Sequence, residues 1–304
     1  MAQNSICPDC GSTKLKLIGK LPDSNEFSGN ITMETLAGGN LYLCNNCRLK
    51  FRFPILEETV YNELYNTENL NWVFDEYRND WRILNEFIKK NVPENGKILD
   101  FGCNLGDVLC RLPEKTEKFG IEINDRAAEV AREKSKATVW KGFDEIPDNL
   151  ELDLIFAIDV IEHLSTPRGF VKQTIPHLKK GGFIALLSGD SNNYFWKLSG
   201  VKWWYTTFPE HIAFISKLWA TKLCENVANL EVVYSKNYTS TKKPVSKQFK
   251  WFLTWVVNFV FQNRSQYLFK LLSKLKKSGM GEKKHFGRNF SADHLFIVFR
   301  KTGD

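Results

Sequence analysis

The chain has 304 residues, 43% hydrophobic and 25% charged, a balance that supports a buried core and excludes a disordered or fibrous protein. No apolar run approaches the ~20 residues of a membrane-spanning helix, and residues 1–10 lack the basic-then-apolar order of a secretion signal, so a cytoplasmic protein is expected. The net charge of +7 is unevenly placed: residues 236–288 hold thirteen Lys/Arg against one acid, Glu282, so the remainder is net acidic and any anionic partner is met locally.

Residues 1–54 form a first unit, framed by Cys7-Pro-Asp-Cys10 and Cys44-Asn-Asn-Cys47. In a reducing compartment such pairs point to metal rather than to disulfides. Two Cys-x-x-Cys turns supply the four thiolates of tetrahedral zinc, and a closed four-thiolate shell is structural, not catalytic. The alternative is two unrelated reduced pairs with a redox role. Cys103, Cys110 and Cys224 have no partner at ligand spacing.

Residues 55–96 read as a helical linker or lid, with Trp81, Leu84, Phe87 and Ile88 at three-to-four spacing. Over residues 97–240 short apolar strands alternate with helices. Strands are expected at 98–101, 119–123, 138–140, 152–158, 183–188 and 231–234, and helices at 126–136, 168–178 and 219–227. Such alternation predicts an α/β fold, a parallel sheet with helices on both faces. Residues 241–290 form a basic, aromatic helical insertion, and residues 291–304 return as the final core strand.

The loop after the first of these strands reads Asp100-Phe-Gly102-Cys103-Asn104-Leu-Gly106. Glycine lets a ligand approach the backbone closely. Glu122 closes the next strand, where an acid accepts hydrogen bonds from both ribose hydroxyls of a nucleoside cofactor. A helix is expected directly after the loop.

These residues, with Asp159-Val-Ile-Glu-His-Leu164, Leu178-Lys-Lys-Gly-Gly-Phe183 and Pro209-Glu-His-Ile-Ala-Phe-Ile-Ser216, resemble the motifs of class I S-adenosylmethionine (SAM) dependent methyltransferases. The cysteine-rich start, followed by Arg52-Phe-Pro-Ile, resembles the zinc-binding region fused to such enzymes in sugar and polysaccharide pathways. The resemblance implies a Rossmann-like sheet of seven mostly parallel strands, the last antiparallel. It implies that Asp100, Gly102, Cys103, Asn104 and Gly106 wrap the methionine end of SAM. Glu122 and the adjoining Ile123 would then hold the ribose side, Phe143 the adenine, and Asp159 would line the pocket near the methyl group. Asn104 stands where glycine is commonest in the family. Asparagine tolerates a left-handed backbone, so the loop survives.

Methyl transfer to a hydroxyl is helped by a general base, most often histidine. His211 is the first candidate and His163 the second, with Tyr205 of the aromatic run 194–208 a further catalytic candidate. In that run Trp203, Trp204 and Tyr205 either form a wall for a sugar or ring substrate or plug the sheet edge. Residues 248–277 combine an apolar stretch with a lysine-lined helix, the pattern of an anchor on anionic lipid, on the inner face of the membrane, or of a cap over the pocket. The reading is a methyltransferase acting on a sugar, lipid-linked sugar or related small molecule. RNA methylation is the alternative, disfavoured because no Asn/Asp-Pro-Pro-aromatic signature follows the fourth strand of the alternating region. A non-catalytic adaptor is the third reading.

Overall fold

The two cysteine turns are built by backbone before any metal is considered. Gly11 N–H donates to the Cys7 carbonyl at 2.9 Å and Arg48 N–H to the Cys44 carbonyl at 3.0 Å, with Gly11 (φ +70°) and Arg48 (φ +66°) both left-handed. The computed structural model describes residues 5–28, 30–57, 59–60, 78–240 and 292–303. The basic aromatic insertion 241–290, including the expected anchor 248–277, lies outside the described residues, as do residues 61–77 of the linker.

The ribbon contains β1 (Leu15–Lys20), β2 (Ser24–Phe27), β3 (Asn30–Leu36), β4 (Asn40–Cys44) and β5 (Lys50–Phe53). Strands β2 and β3 pair with each other as a separate hairpin. The core follows as α1 (Asn79–Asn91), β6 (Lys97–Phe101), β7 (Glu117–Ile121), α2 (Asp125–Ser135), β8 (Thr138–Trp140), β9 (Leu152–Ile158), α3 (Pro167–Thr174), β10 (Leu178–Gly189), α4 (Tyr194–Ser199), β11 (Ala213–Phe214), α5 (Lys217–Cys224), β12 (Leu230–Tyr238) and β13 (His294–Lys301).

Seven strands form the main sheet in the order β12-β13-β10-β9-β6-β7-β8. Strands β6 to β10 are parallel to their partners among themselves, whereas β13 runs antiparallel to both β10 and β12. Its central strands are buried on both faces, as a parallel sheet covered by helices requires. Along β13, Leu295, Ile297 and Phe299 enter the core shared with α3, α5 and the ribbon. Phe296 and Val298 enter the opposite core, shared with α1 and α2. That period of two is the strand's own geometry.

Helix starts follow local chemistry. The Asn124 side chain accepts from Ala127 N–H at 3.0 Å and caps α2; Ser216 does the same for α5 through Trp219 N–H at 3.2 Å. Two expectations are corrected. The glycine loop is followed only by a 3-10 turn, Leu109–Arg111, because Pro113 arrives too soon for an α-helix. The helix expected over 168–178 stops at Thr174, with Pro176 in the next turn, and Leu178 already belongs to β10.

The ribbon is welded to the core. A four-stranded sheet, β1-β4-β5-β11, takes its last strand from the far side of the core sequence. Within the first cysteine turn, Asp9 is buried and bridges two core helices. It accepts from the Trp219 indole N–H at 3.0 Å and from Arg168 N–H at 2.6 Å. Among the described residues no helix is long and apolar enough to cross a membrane.

Candidate active site

Cys7, Cys10, Cys44 and Cys47 offer four sulfurs within 4.8 Å of one another. Cys7 and Cys47 lie 3.6 Å apart, as do Cys10 and Cys44. Tetrahedral zinc with bonds of about 2.3 Å separates its sulfurs by roughly 3.8 Å, so the cage fits the ion and is far too wide for a disulfide. The hydrogen bond between Cys7 and Cys47 pulls the Cys7 thiol down to about 6 and pushes that of Cys47 up, and burial raises Cys44. The thiolate is the ligating form.

The second site begins at the carboxyl ends of β6 and β7. Gly102 and Cys103 N–H both donate to the Ile121 carbonyl, at 2.8 and 3.0 Å, which pins the loop to the end of β7. Glu122 then closes the arrangement. Its carboxylate accepts from Asn104 N–H and Asn124 N–H, each at 2.9 Å, so one side chain joins the glycine loop to the cap of α2. At Gly102 (φ +78°) any other residue is strained, and its Cβ would meet Val160 Cγ2 at 2.6 Å; at Gly106 (φ +75°) it would meet Ala131 Cα at 3.0 Å. Asn104 holds the expected left-handed conformation, φ +46°.

Burial raises the Asp100 carboxyl well above the usual range, with the Glu122 charge adding to it; burial also raises Glu122 against the pull of its backbone donors. Two desolvated acids beside a loop of backbone donors suit a ligand that brings hydroxyl donors and positive charge, which the ribose, ammonium and sulfonium of SAM supply.

The other expected cofactor residues are placed as follows. The Cys103 side chain turns into the core, near the position a Cβ on Gly120 would occupy, so only its backbone faces the loop. Ile123 is exposed. Phe143 follows β8 and stacks on Phe101 (centroids 5.2 Å apart) and on His177 (5.4 Å). Asp159 (φ +53°) ends β9 beside the loop, and its carboxylate pairs with Arg78 at 2.6 Å.

The catalytic candidates converge. His163 lies in the 3-10 turn Ile161–His163 and His211 in the segment before β11, their ring centroids 5.0 Å apart at 73°. Burial lowers His163 and, further, His211, so both rings are neutral near pH 7. Tyr205 is buried and donates to Glu162, with Ser188 Oγ donating to the same carboxylate at 2.9 Å. Burial, with the Asp159 charge adding, lifts Glu162 to about 7.

Trp203, Trp204 and Tyr205 are core, not an open wall: they pack with Leu21, Leu41, Trp196 and Phe214 between ribbon and sheet. The Tyr205 hydroxyl meets Glu162 and Ser188, and the Trp204 indole N–H donates to Asp293 at 3.3 Å.

Sequence reasoning missed four contributors. Arg52, on β5, is buried and sends Nε to the His211 carbonyl (3.1 Å), Nη2 to the carbonyls of Thr206 (2.8 Å) and Phe208 (2.9 Å), and Nη1 to that of Gly38. Glu210 accepts from Ser28 N–H of the ribbon at 3.0 Å. Arg78 braces Asp159 and Asp80. Glu162 anchors the Tyr205–Ser188 network. Glu162 beside His163 and Glu210 beside His211 were the available signals; the contacts of Arg52 with Thr206, Phe208 and His211 and of Arg78 with Asp159 span more than seventy residues.

A family model described as a methyltransferase domain matches residues 71–235, more than half of the chain. The ubiquinone biosynthesis O-methyltransferase of Pelagibacter ubique (strain HTCC1062) is 28% identical over 121 residues, covering 36% of this chain and 50% of that protein. The chain thus spans about half the length of the curated relative it matches. Among solved structures, the plantazolicin methyltransferase BpumL, in complex with a triazolic desmethylPZN analog and SAH, is 16% identical with a TM-score of 0.45, covering 74% of this chain and 84% of that one. Coclaurine N-methyltransferase, bound to N-methylheliamine and SAH, is 14% identical with a TM-score of 0.47, covering 76% of each chain. On the family match across its core, the chain belongs to the methyltransferase domain family.

Proposed function

We propose that the chain transfers the methyl group of SAM to a hydroxyl of a sugar, lipid-linked sugar or related small molecule. One observation carries this reading: the Glu122 carboxylate ties Asn104 to Asn124 at the mouth of β6 and β7, while His163 and His211 meet at the end of the neighbouring β9. A nucleoside cradle and a neutral imidazole pair therefore share one edge of the sheet, the edge where open α/β sheets bind ligands.

Asp100, residues 102–106 and Glu122 would hold SAM, with Asp159 beside its reactive end. When bound, SAM supplies a methyl group already activated by a neutral thioether leaving group. The protein's task is alignment of the acceptor and removal of its proton, and alignment alone supplies much of the acceleration. His211, held by Tyr205 O and by Arg52 on its own carbonyl, is the first residue to receive that proton; His163 is the second. The relative acting in ubiquinone biosynthesis is named an O-methyltransferase, which favours oxygen as the acceptor atom. The zinc ribbon is structural, and a lipid-linked acceptor suits the basic, aromatic sequence of residues 248–277.

Labelled SAM, offered with nucleotide-sugars, lipid-linked sugars and an RNA transcript, tests the reading. Label is expected in a sugar or lipid-linked fraction, as a base-stable ether. Label in the RNA alone would replace the acceptor class, and absence of SAM binding would leave the adaptor reading.

A further inference from the structure

A second donor cluster lies inside the proposed active site. One oxygen of Glu162 and one ring nitrogen each of His163 and His211 fall within 4.8 Å of one another. The three come from two separate segments, and those segments are fastened together by Ile212 N–H donating to the Glu162 carbonyl at 2.8 Å.

The orientation of the donors is set from outside the cluster. His163 Nδ1 lies 3.1 Å from the Glu210 carbonyl oxygen and His211 Nδ1 lies 2.8 Å from that of Tyr205. A carbonyl only accepts, so in neutral His211 Nδ1 carries the hydrogen and Nε2 is the nitrogen with a lone pair to give, while the His163 ring is held by the backbone of both Glu210 and Asp159. Ligating histidines in metal sites are fixed by this kind of outer contact. Glu162 is steadied in turn by Ser188 Oγ and the Tyr205 hydroxyl, and a carboxylate so held keeps further lone pairs for a ligand. Two imidazoles and one carboxylate form a donor set suited to first-row divalent cations, with positions left for other ligands.

We propose that Glu162, His163 and His211 bind one first-row divalent cation, which holds the acceptor hydroxyl and makes it more acidic. The binding stands on the geometry of the cluster; the role assigned to the ion rests on the methyl-transfer reading. With the ion bound, this role replaces proton uptake by His211 or His163: the acceptor hydroxyl coordinates the ion and releases its proton to solvent. The oxygen then bonds to the methyl carbon as the carbon–sulfur bond breaks, and the ion is unchanged.

Titration of the zinc-loaded, full-length protein with Mn2+, followed by electron paramagnetic resonance, tests this. The aqueous Mn2+ signal is expected to fall with a stoichiometry of one per chain, and the bound ion should show nitrogen-14 couplings from two imidazoles. His163→Gln and His211→Asn should each weaken binding at least tenfold while SAH affinity is retained. An undiminished aqueous signal, or bound Mn2+ without nitrogen couplings, overturns the proposal. The couplings are read on the native chain, so the outcome does not depend on either variant folding. Methyl transfer that proceeds with no Mn2+ bound sinks the ion and leaves the proposed function standing. Bound Mn2+ with two nitrogen couplings but no transfer does the reverse.

Discussion

Cys44→Ser is expected to abolish methyl transfer, by 100-fold or more, while changing SAH affinity only a few-fold. Structural zinc in small four-ligand sites contributes about 10–16 kcal/mol of folding energy, and losing one thiolate forfeits most of it. The ribbon would then unfold, and its contacts with the core show what goes with it. Strand β5 pairs with β11, so Ala213 and Phe214 lose their partners Phe51 and Lys50. Arg52 leaves the carbonyls of Thr206, Phe208 and His211 buried without their donor. An unpaired buried acceptor costs about 1–3 kcal/mol, so the His211 segment cannot keep its shape. Glu122 and the glycine loop lie against α2 and β8, away from this damage. Zinc content by mass spectrometry, SAH calorimetry and the transfer rate together check the prediction. Full activity in a zinc-free Cys44→Ser protein would separate ribbon from catalysis.

Glu122→Ala is expected to weaken SAH binding by at least about 100-fold. A hydrogen bond to a charged group contributes about 1.5–3 kcal/mol, and two are at stake across the ribose. Each 1.4 kcal/mol is tenfold in affinity. The same substitution removes the acceptor for Asn104 and Asn124 N–H, so the loop is also loosened. Glu122→Gln should fall between, because its carbonyl oxygen still accepts one of the two donors. Calorimetric titration of each variant with SAH reads the order directly. An unchanged dissociation constant in Glu122→Ala would take the ribose away from this carboxylate.

What was legible in the sequence, and what was not, divides along physical lines. Strands β8, β9 and β13 fall where expected, because an apolar run of strand length bounded by polar turns has few other uses in an α/β chain. The cysteine turns and the loop ending at Gly106 were visible because their spacing is local. The absent helix after that loop shows the limit of pattern: the strand-and-glycine-turn pattern predicted a helix, but Pro113 ended it after a single 3-10 turn. Partners distant in sequence were hidden. Nothing near Arg52 announces that its side chain will hold a loop more than 150 residues away. Trp203 and Trp204 left a binding wall and a hydrophobic plug both open, because aromatic density marks pockets and interfaces alike; the ribbon packed on them decides for the plug.

The central claim is that the turn leaving β6 and the carboxylate ending β7 together embrace an adenosyl group. A crystal soaked with SAH measures this most directly. The account predicts both ribose hydroxyls within hydrogen-bond distance of Glu122, with the amino-acid end against residues 100–106. Density for SAH elsewhere on the chain, with Glu122 still bonded only to Asn104 and Asn124, would contradict it.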